Sequence, residues 1–245
     1  CIVGSDQGVV PMDVNGDLLD DLVHGESDDP YDGDSSDDRE VYINDGSNSW
    51  TLESTYSTPV NFVTNAEPYY MYDRFVRVGD MNGDGLLDIV ETASPYTSTS
   101  HVYLNNADGT GWSEDSSYSI TGSCYFGTAF GGDYRDGGAR FADLNNDGLV
   151  DVVQSQFNGG MSSSVYINDG NGITVSDSGY SVPTHFSQIG YDGGARLADA
   201  NGDGFVDIVV GDDYYDTNAI YLNDGDGTGW TLTTGMLPVE FNLYN

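Results

Sequence analysis

The chain has 245 residues, room for one large all-β domain or two small ones. Its formal net charge is −35 and its six basic residues are all arginine, so nucleic acid and anionic membrane surfaces are poor partners. It has no apolar run of about 18 residues to form a spanning helix, and its 18 tyrosines and nine phenylalanines suit thin cores between sheets.

The chain opens on Cys1 without initiator methionine or signal peptide, as expected of a processed or truncated product. Cys1 and Cys124 are the two cysteines. Pairing within the chain, pairing between chains and free thiols are all open, and a first-position cysteine also suits a lipid-bearing bacterial lipoprotein.

The first chemical motif is Asp13-Val-Asn-Gly-Asp-Leu-Leu-Asp-Asp21. It returns as Asp80-Met-Asn-Gly-Asp-Gly-Leu-Leu-Asp88, Asp143-Leu-Asn-Asn-Asp-Gly-Leu-Val-Asp151 and Asp199-Ala-Asn-Gly-Asp-Gly-Phe-Val-Asp207. Oxygen side chains stand at positions 1, 3, 5 and 9. The carbonyl of position 7 adds another oxygen, and a hard cation such as Ca²⁺ takes six to eight of them. The expected ligands are Asp13, Asn15, Asp17, Leu19 and Asp21; Asp80, Asn82, Asp84, Leu86 and Asp88; Asp143, Asn145, Asp147, Leu149 and Asp151; and Asp199, Asn201, Asp203, Phe205 and Asp207, the four apolar residues through their carbonyls. Three aspartates so close repel one another unless a cation neutralises them. Position 6 is glycine in three loops and Leu18 in the first, which sets the site at 13–21 apart, because that turn needs a residue that tolerates positive φ. Solvated Asn/Asp turns would explain single motifs, but not the recurrence in register.

Each loop is followed by a short apolar strand: Leu22-Val23, Ile89-Val90, Val152-Val153 and Ile208-Val209. After a variable segment comes a strand with a shared ending: Val41-Tyr-Ile-Asn-Asp-Gly46, Val102-Tyr-Leu-Asn-Asn106, Val165-Tyr-Ile-Asn-Asp-Gly170 and Ile220-Tyr-Leu-Asn-Asp-Gly225. These endings predict hairpin turns. The next strand opens at Trp50, Trp112, Ile173 or Trp230. It is expected to run to an ending at Pro59–Phe62, Cys124–Phe126, Pro183–Phe186 or Pro238–Phe241. A lead-in strand (Phe75–Val78, Ala139–Ala142, Ala195–Ala198) then reaches the following loop. Four short strands per roughly 60 residues, without helical periodicity, predict an all-β, β-propeller-like array of four blades.

The expected units are 1–49, 50–111, 112–172 and 173–229, in one repeat domain spanning 1–245. The segment 230–245 is left as a strand that closes the first blade or is donated to a neighbouring subunit, which would make a filament.

These units resemble FG-GAP/VCBS repeats, the calcium-loop blades of integrin α-subunit heads and of bacterial surface proteins. The stretch from Ala195 to Asp207, with Tyr221–Gly225 and Trp230, is close to the bacterial form. The resemblance implies a propeller-like fold with Ca²⁺ in the blade loops. It departs from the family at Leu18 and in showing four units where family propellers commonly have seven.

Glu91 stands at position 12 of its loop, as in an EF-hand, but His24, Gln154 and Val210 hold that place elsewhere and the flanks are strand-like. Arg77, Arg140 and Arg196 sit three residues before a loop aspartate and are expected to pair with nearby carboxylates. The acidic run Asp28–Asp38 reads as a solvated loop. Tyr69, Tyr70, Tyr72, Tyr214 and Tyr215 read as packing residues, with sugar stacking as the alternative. His24, His101 and His185 share no register, and no nucleophile triad, zinc-protease or phosphate-loop motif occurs. The expectation is a non-enzymatic, calcium-binding module of the cell surface or extracellular space. Its partner is an extracellular protein, a glycan or copies of itself. The alternatives are a strand-exchanged filament subunit and a propeller lectin or polysaccharide-active enzyme.

Overall fold

The computed structural model describes residues 8–27, 38–66, 70–73, 75–92, 100–118, 127–130, 133–176, 179–189, 191–212 and 217–233. Cys1, Cys124, Tyr69, Tyr214, Tyr215, the run 28–37 and residues 234–245 lie outside them. Every regular element among the described residues is a strand. The architecture is all-β and of β-propeller type, with four blades that each contain four antiparallel strands; in the first and third, two further strands extend the sheet to six, and a separate two-stranded ribbon joins Gly127–Phe130 to Asp133–Asp136.

In the first blade Val9–Met12 pairs with Asp21–Glu26, which pairs with Asp38–Asn44, which pairs with Trp50–Leu52. The second repeats this with Val76–Gly79, Asp88–Glu91, His101–Asn105 and Trp112–Glu114. The third uses Ala139–Ala142, Asp151–Phe157, Met161–Asn168 and Ile173–Ser176. The fourth uses Ala195–Ala198, Asp207–Asp212, Thr217–Asn223 and Trp230–Thr233. The acidic loop is always the hairpin between the lead-in strand and the next, and the Asn-ending strand always turns into the fourth.

This grouping differs from the expected units. Trp50, Trp112, Ile173 and Trp230 open the last strand of the preceding sheet, not the first of a new one. The hairpin turn at each Asn-ending strand is too short to carry the chain elsewhere, so the strand folds back beside its predecessor. Trp230–Thr233 is therefore paired within its own blade. It is not the closing or donated strand, and Trp230 sits in the core with its indole N–H donating to the Val206 carbonyl at 3.0 Å.

The fourth strand is also shorter than expected. After Trp50–Leu52 the chain turns, and the Pro59–Phe62 segment reaches a different neighbour: the Phe62 N–H donates to the Gly25 carbonyl at 2.7 Å. Phe186 does the same to Ser155 at 2.9 Å. Val63 and Ser187 then pair parallel to Glu26 and Gln156. A Cβ on Gly25 would lie 2.9 Å from the Phe62 ring and from the Val60 carbonyl, so only glycine allows that approach.

The chain divides into two compact units, Cys1–Tyr118 and Ser119–Asn245, each carrying two blades. The first packs Met12, Val14, Val23, Val41, Tyr56, Val60, Phe62, Val76 and Ile89 into one core. The second packs Leu144, Val153, Val165, Tyr180, Val182, Phe186, Ala195, Ile208, Val210, Ala219 and Trp230. Strand alternation explains the selection: along Asp21–Glu26 the odd-numbered residues are buried and the even-numbered ones half-buried.

Candidate metal centres in the blade loops

All four loops share one scaffold. The position-9 aspartates, Asp21, Asp88, Asp151 and Asp207, are fully buried. One carboxylate oxygen of each accepts the N–H of loop position 2, from Val14 at 3.1 Å, Met81 at 2.8 Å, Leu144 at 2.9 Å and Ala200 at 2.8 Å. The other accepts the N–H of the asparagine that ends the third strand, from Asn44, Asn105, Asn168 and Asn223, each at 2.8 Å. One side chain thus ties the acidic hairpin to the next hairpin of its blade. The sequence marks these asparagines only as turn formers; their recurrence opposite position 9 is the signal that they anchor it.

Positions 1, 3 and 5 fold onto the loop's own amides. The N–H of position 6 donates to the first aspartate, from Leu18 at 2.8 Å, Gly85 and Gly148 at 2.9 Å and Gly204 at 3.0 Å. The third-position asparagine accepts from the fifth residue's N–H, and Asp17, Asp84, Asp147 and Asp203 accept from Leu19, Leu86, Leu149 and Phe205 at 2.8–2.9 Å. These bonds fix the direction of each oxygen, and Asp13 Oδ1 and Asp199 Oδ1 each accept two backbone N–H groups. Leu18 does not break the pattern. It takes φ 69° where Gly85, Gly148 and Gly204 take 88°, 89° and 92°, with its side chain in solvent. The first loop keeps its backbone at the cost of strain.

Charge is concentrated without relief. Burial, with repulsion from Asp84 and Asp80 behind it, pushes the Asp88 carboxyl up to about 7 against the two stabilising backbone hydrogen bonds. Burial likewise raises Asp151 to about 6 and raises Asp21. At the exposed end of the fourth loop the backbone hydrogen bond from Gly204 leads in lowering Asp199. The three aspartates of a loop do not converge on one point: no loop brings three carboxylate oxygens within 4.8 Å of one another among the described residues. Their separate amide partners set their directions. The donor set is oxygen only and set on a preformed turn, which fits a hard cation such as Ca²⁺. Glu91 lies in a strand paired with Val76 and His101, without EF-hand helices.

The first three loops are also tied to their surroundings through the position-2 carbonyl. Val14 accepts from the Tyr56 hydroxyl at 3.2 Å and from Asn105 Nδ2 of the second blade at 3.0 Å. Leu144 accepts from Tyr180 at 3.4 Å and from Asn223 Nδ2 of the fourth blade at 3.1 Å. Tyr118 donates to Met81. Tyr56 stands edge-on to Trp112 at 5.6 Å, and Tyr180 lies 5.4 Å from Trp230. The even spacing of Tyr56, Tyr118 and Tyr180 was the available signal for these contacts.

Arg140 and Arg196 pair with carboxylates as expected. Arg140 grips Asp136 with two hydrogen bonds of 3.0 and 2.7 Å, and Arg196 grips Asp192 at 2.9 and 2.6 Å. Both partners lie four residues upstream, before the lead-in strand, so these pairs brace the strand and not the loop. Arg77 donates to the Val76 carbonyl.

The model of the FG-GAP-like repeat matches residues 80–154 and 143–210, more than half of the chain. No curated protein matches. Among solved structures, a lectin of Agrocybe aegerita, described by its specific recognition of non-reducing terminal N-acetylglucosamine, is similar in fold with a TM-score of 0.57 and 20% identity. The similarity covers 91% of this chain and 49% of that one, so the chain spans about half the length of that structure.

Proposed function

The chain belongs to the FG-GAP-like repeat family, and on that premise we propose that it is a calcium-stabilised, non-catalytic binding module of the extracellular or cell-surface space. The observation that carries this reading is the fourfold buried aspartate that joins an acidic hairpin to its neighbour, with two further aspartates on the same turn. Ca²⁺ supplies the missing positive charge. Asp80, Asn82, Asp84, Asp88 and the Leu86 carbonyl would hold it in the second loop, and the equivalent residues in the others. An ion that binds only the folded loop stabilises it, by about 2.7 kcal/mol per site at 100-fold saturation. Sites filled by the millimolar calcium outside cells suit this role. The test is calcium titration with thermal melting: the midpoint should rise with Ca²⁺ and fall with chelator, and an unmoved midpoint would refute it.

A glycan is the second choice of partner beside a protein. It is favoured by the fold shared with the Agrocybe aegerita lectin. A glycan array including N-acetylglucosamine-terminated chains, probed with and without Ca²⁺, tests it; a blank array leaves the protein-binding reading. A filament made by donating the segment 230–245 loses Trp230–Thr233 as its exchanged strand, since those residues already complete their own blade.

A further inference from the structure

Outside the four loops, the first blade gathers a different kind of donor set. His24 and Glu26 lie two apart on the strand after the loop, and Asp38 and Glu40 two apart on the strand beside it. The register sets His24 opposite Glu40 and Glu26 opposite Asp38. Alternation then puts all four side chains on one face of the sheet. One ligand atom each of His24, Glu26 and Asp38 lies within 4.8 Å of the other two. His24 Nε2 is 3.3 Å from Glu26 Oε2, and both side chains are largely shielded, at 17% and 15% exposure.

We propose that His24, Glu26 and Asp38 form a binding site for a divalent transition-metal ion of borderline softness, with zinc as its representative, chemically distinct from the oxygen-only loops. Two features support a built site beyond the crowding of acids. First, an imidazole nitrogen joins the carboxylates, and imidazole suits zinc and its neighbours where Ca²⁺ takes oxygen. Second, a carboxylate stands beside the other ring nitrogen: Glu40 Oε2 lies 3.7 Å from His24 Nδ1, just beyond hydrogen-bond length, and accepts the Tyr42 hydroxyl at 2.8 Å. A metal-bound histidine commonly gives its second N–H to a carboxylate, which sets the tautomer and the ring plane. With Nε2 as the ligand atom, the proton falls to Nδ1 on the side of Glu40, which the Tyr42 hydroxyl holds. Three protein ligands leave a position open to water or to a partner's side chain. Metal bonds of about 2.0–2.2 Å would draw these ligand atoms closer together than they now stand.

The test uses the full chain with Cys1→Ser and Cys124→Ser, to remove thiolate binding, held in excess Ca²⁺ so that the loops are filled. Zn²⁺ alone is titrated by calorimetry, and Co²⁺ is followed by its visible absorption. One equivalent of Zn²⁺ should bind. His24→Gln and Glu26→Gln should each weaken it at least tenfold, Glu40→Gln roughly tenfold through the lost orientation, and His101→Gln should have no effect. The calcium-dependent melting shift should persist in every variant. Absence of zinc binding, or binding unchanged by both His24→Gln and Glu26→Gln, overturns the proposal. Should a variant fail to fold, the imidazole NMR signals of the unsubstituted site decide: Zn²⁺ must move those of His24, and movement confined to His101 or His185 overturns the proposal. Because Ca²⁺ is saturating throughout, failure here leaves the loop reading intact, and failure of calcium to bind is seen separately in the melting shift.

Discussion

Asn105 of the second blade reaches the Val14 carbonyl in the acidic loop of the first, at 3.0 Å, and both groups are buried. Asn223 and Leu144 repeat the contact between the fourth and third blades. The order of one loop is thereby linked to the packing of the next sheet in the same unit. Asn105→Ala and Asn223→Ala should each cost about 1–3 kcal/mol, the usual penalty for unmaking a buried hydrogen bond. Urea unfolding measures this; a loss within error would show that the tyrosine hydroxyls alone satisfy these carbonyls.

Calcium should act loop by loop. Asp84→Ala, Asp147→Ala and Asp203→Ala are each expected to remove one bound equivalent and a share of the calcium-induced rise in melting temperature. Equilibrium dialysis counts the ions. Variants that keep the full count would remove these residues from the ligand set.

Leu18 carries a backbone angle that the other loops give to glycine. A left-handed conformation costs a residue with a Cβ about 1–2 kcal/mol, and Leu18 buries nothing in exchange, being 91% exposed. Leu18→Gly should therefore stabilise the protein by about 1 kcal/mol, less the entropy glycine adds to the unfolded chain. A lower urea midpoint than the parent protein would show the strain to be absent.

The buried aspartates give stability a pH dependence with a definite sign. Asp88 titrates near 7 and Asp151 near 6, above the ordinary 3.8. The folded state then holds protons that the unfolded state has released. Ion-free protein has this stability in full below the ordinary carboxylate value and loses it as pH rises through about 6 to 7. It should melt higher at about pH 5 than at about pH 8, and excess Ca²⁺, which favours the ionised carboxylate, should shrink or reverse the difference. Equal melting points in ion-free buffer would contradict the burial argument.

Trp230 tests the placement of the last described strand. Trp230→Ala should cost about 3–5 kcal/mol as a buried aromatic, through the lost packing on Tyr180 and the lost bond to Val206. A near-neutral effect on urea unfolding would place the strand outside its own blade.

The loops were legible because their chemistry is local. Asp199 to Asp207 shows its donors, its turn residues and its flanking strands within one short stretch, and the backbone follows that pattern even where Leu18 departs from it. The grouping of strands was less legible. Trp50 and Trp230 look like openings because they follow a turn, but pairing registers decide which sheet takes them. The Pro59–Phe62 segment reads as the end of a strand, and only the close approach at Gly25 reveals its parallel run. The His24, Glu26 and Asp38 group was hidden for the same reason: Glu26 and Asp38 meet through cross-strand register, across twelve residues of sequence.

Every blade draws its four strands from one continuous piece of chain, joined by successive hairpins. Such pieces close mostly short loops as they fold, so each sheet can form before the rest of the chain is present. Duplication or loss of one genetic segment would then add or remove a whole sheet and cut none, which lets arrays of this kind change length over evolution without passing through an unfoldable intermediate.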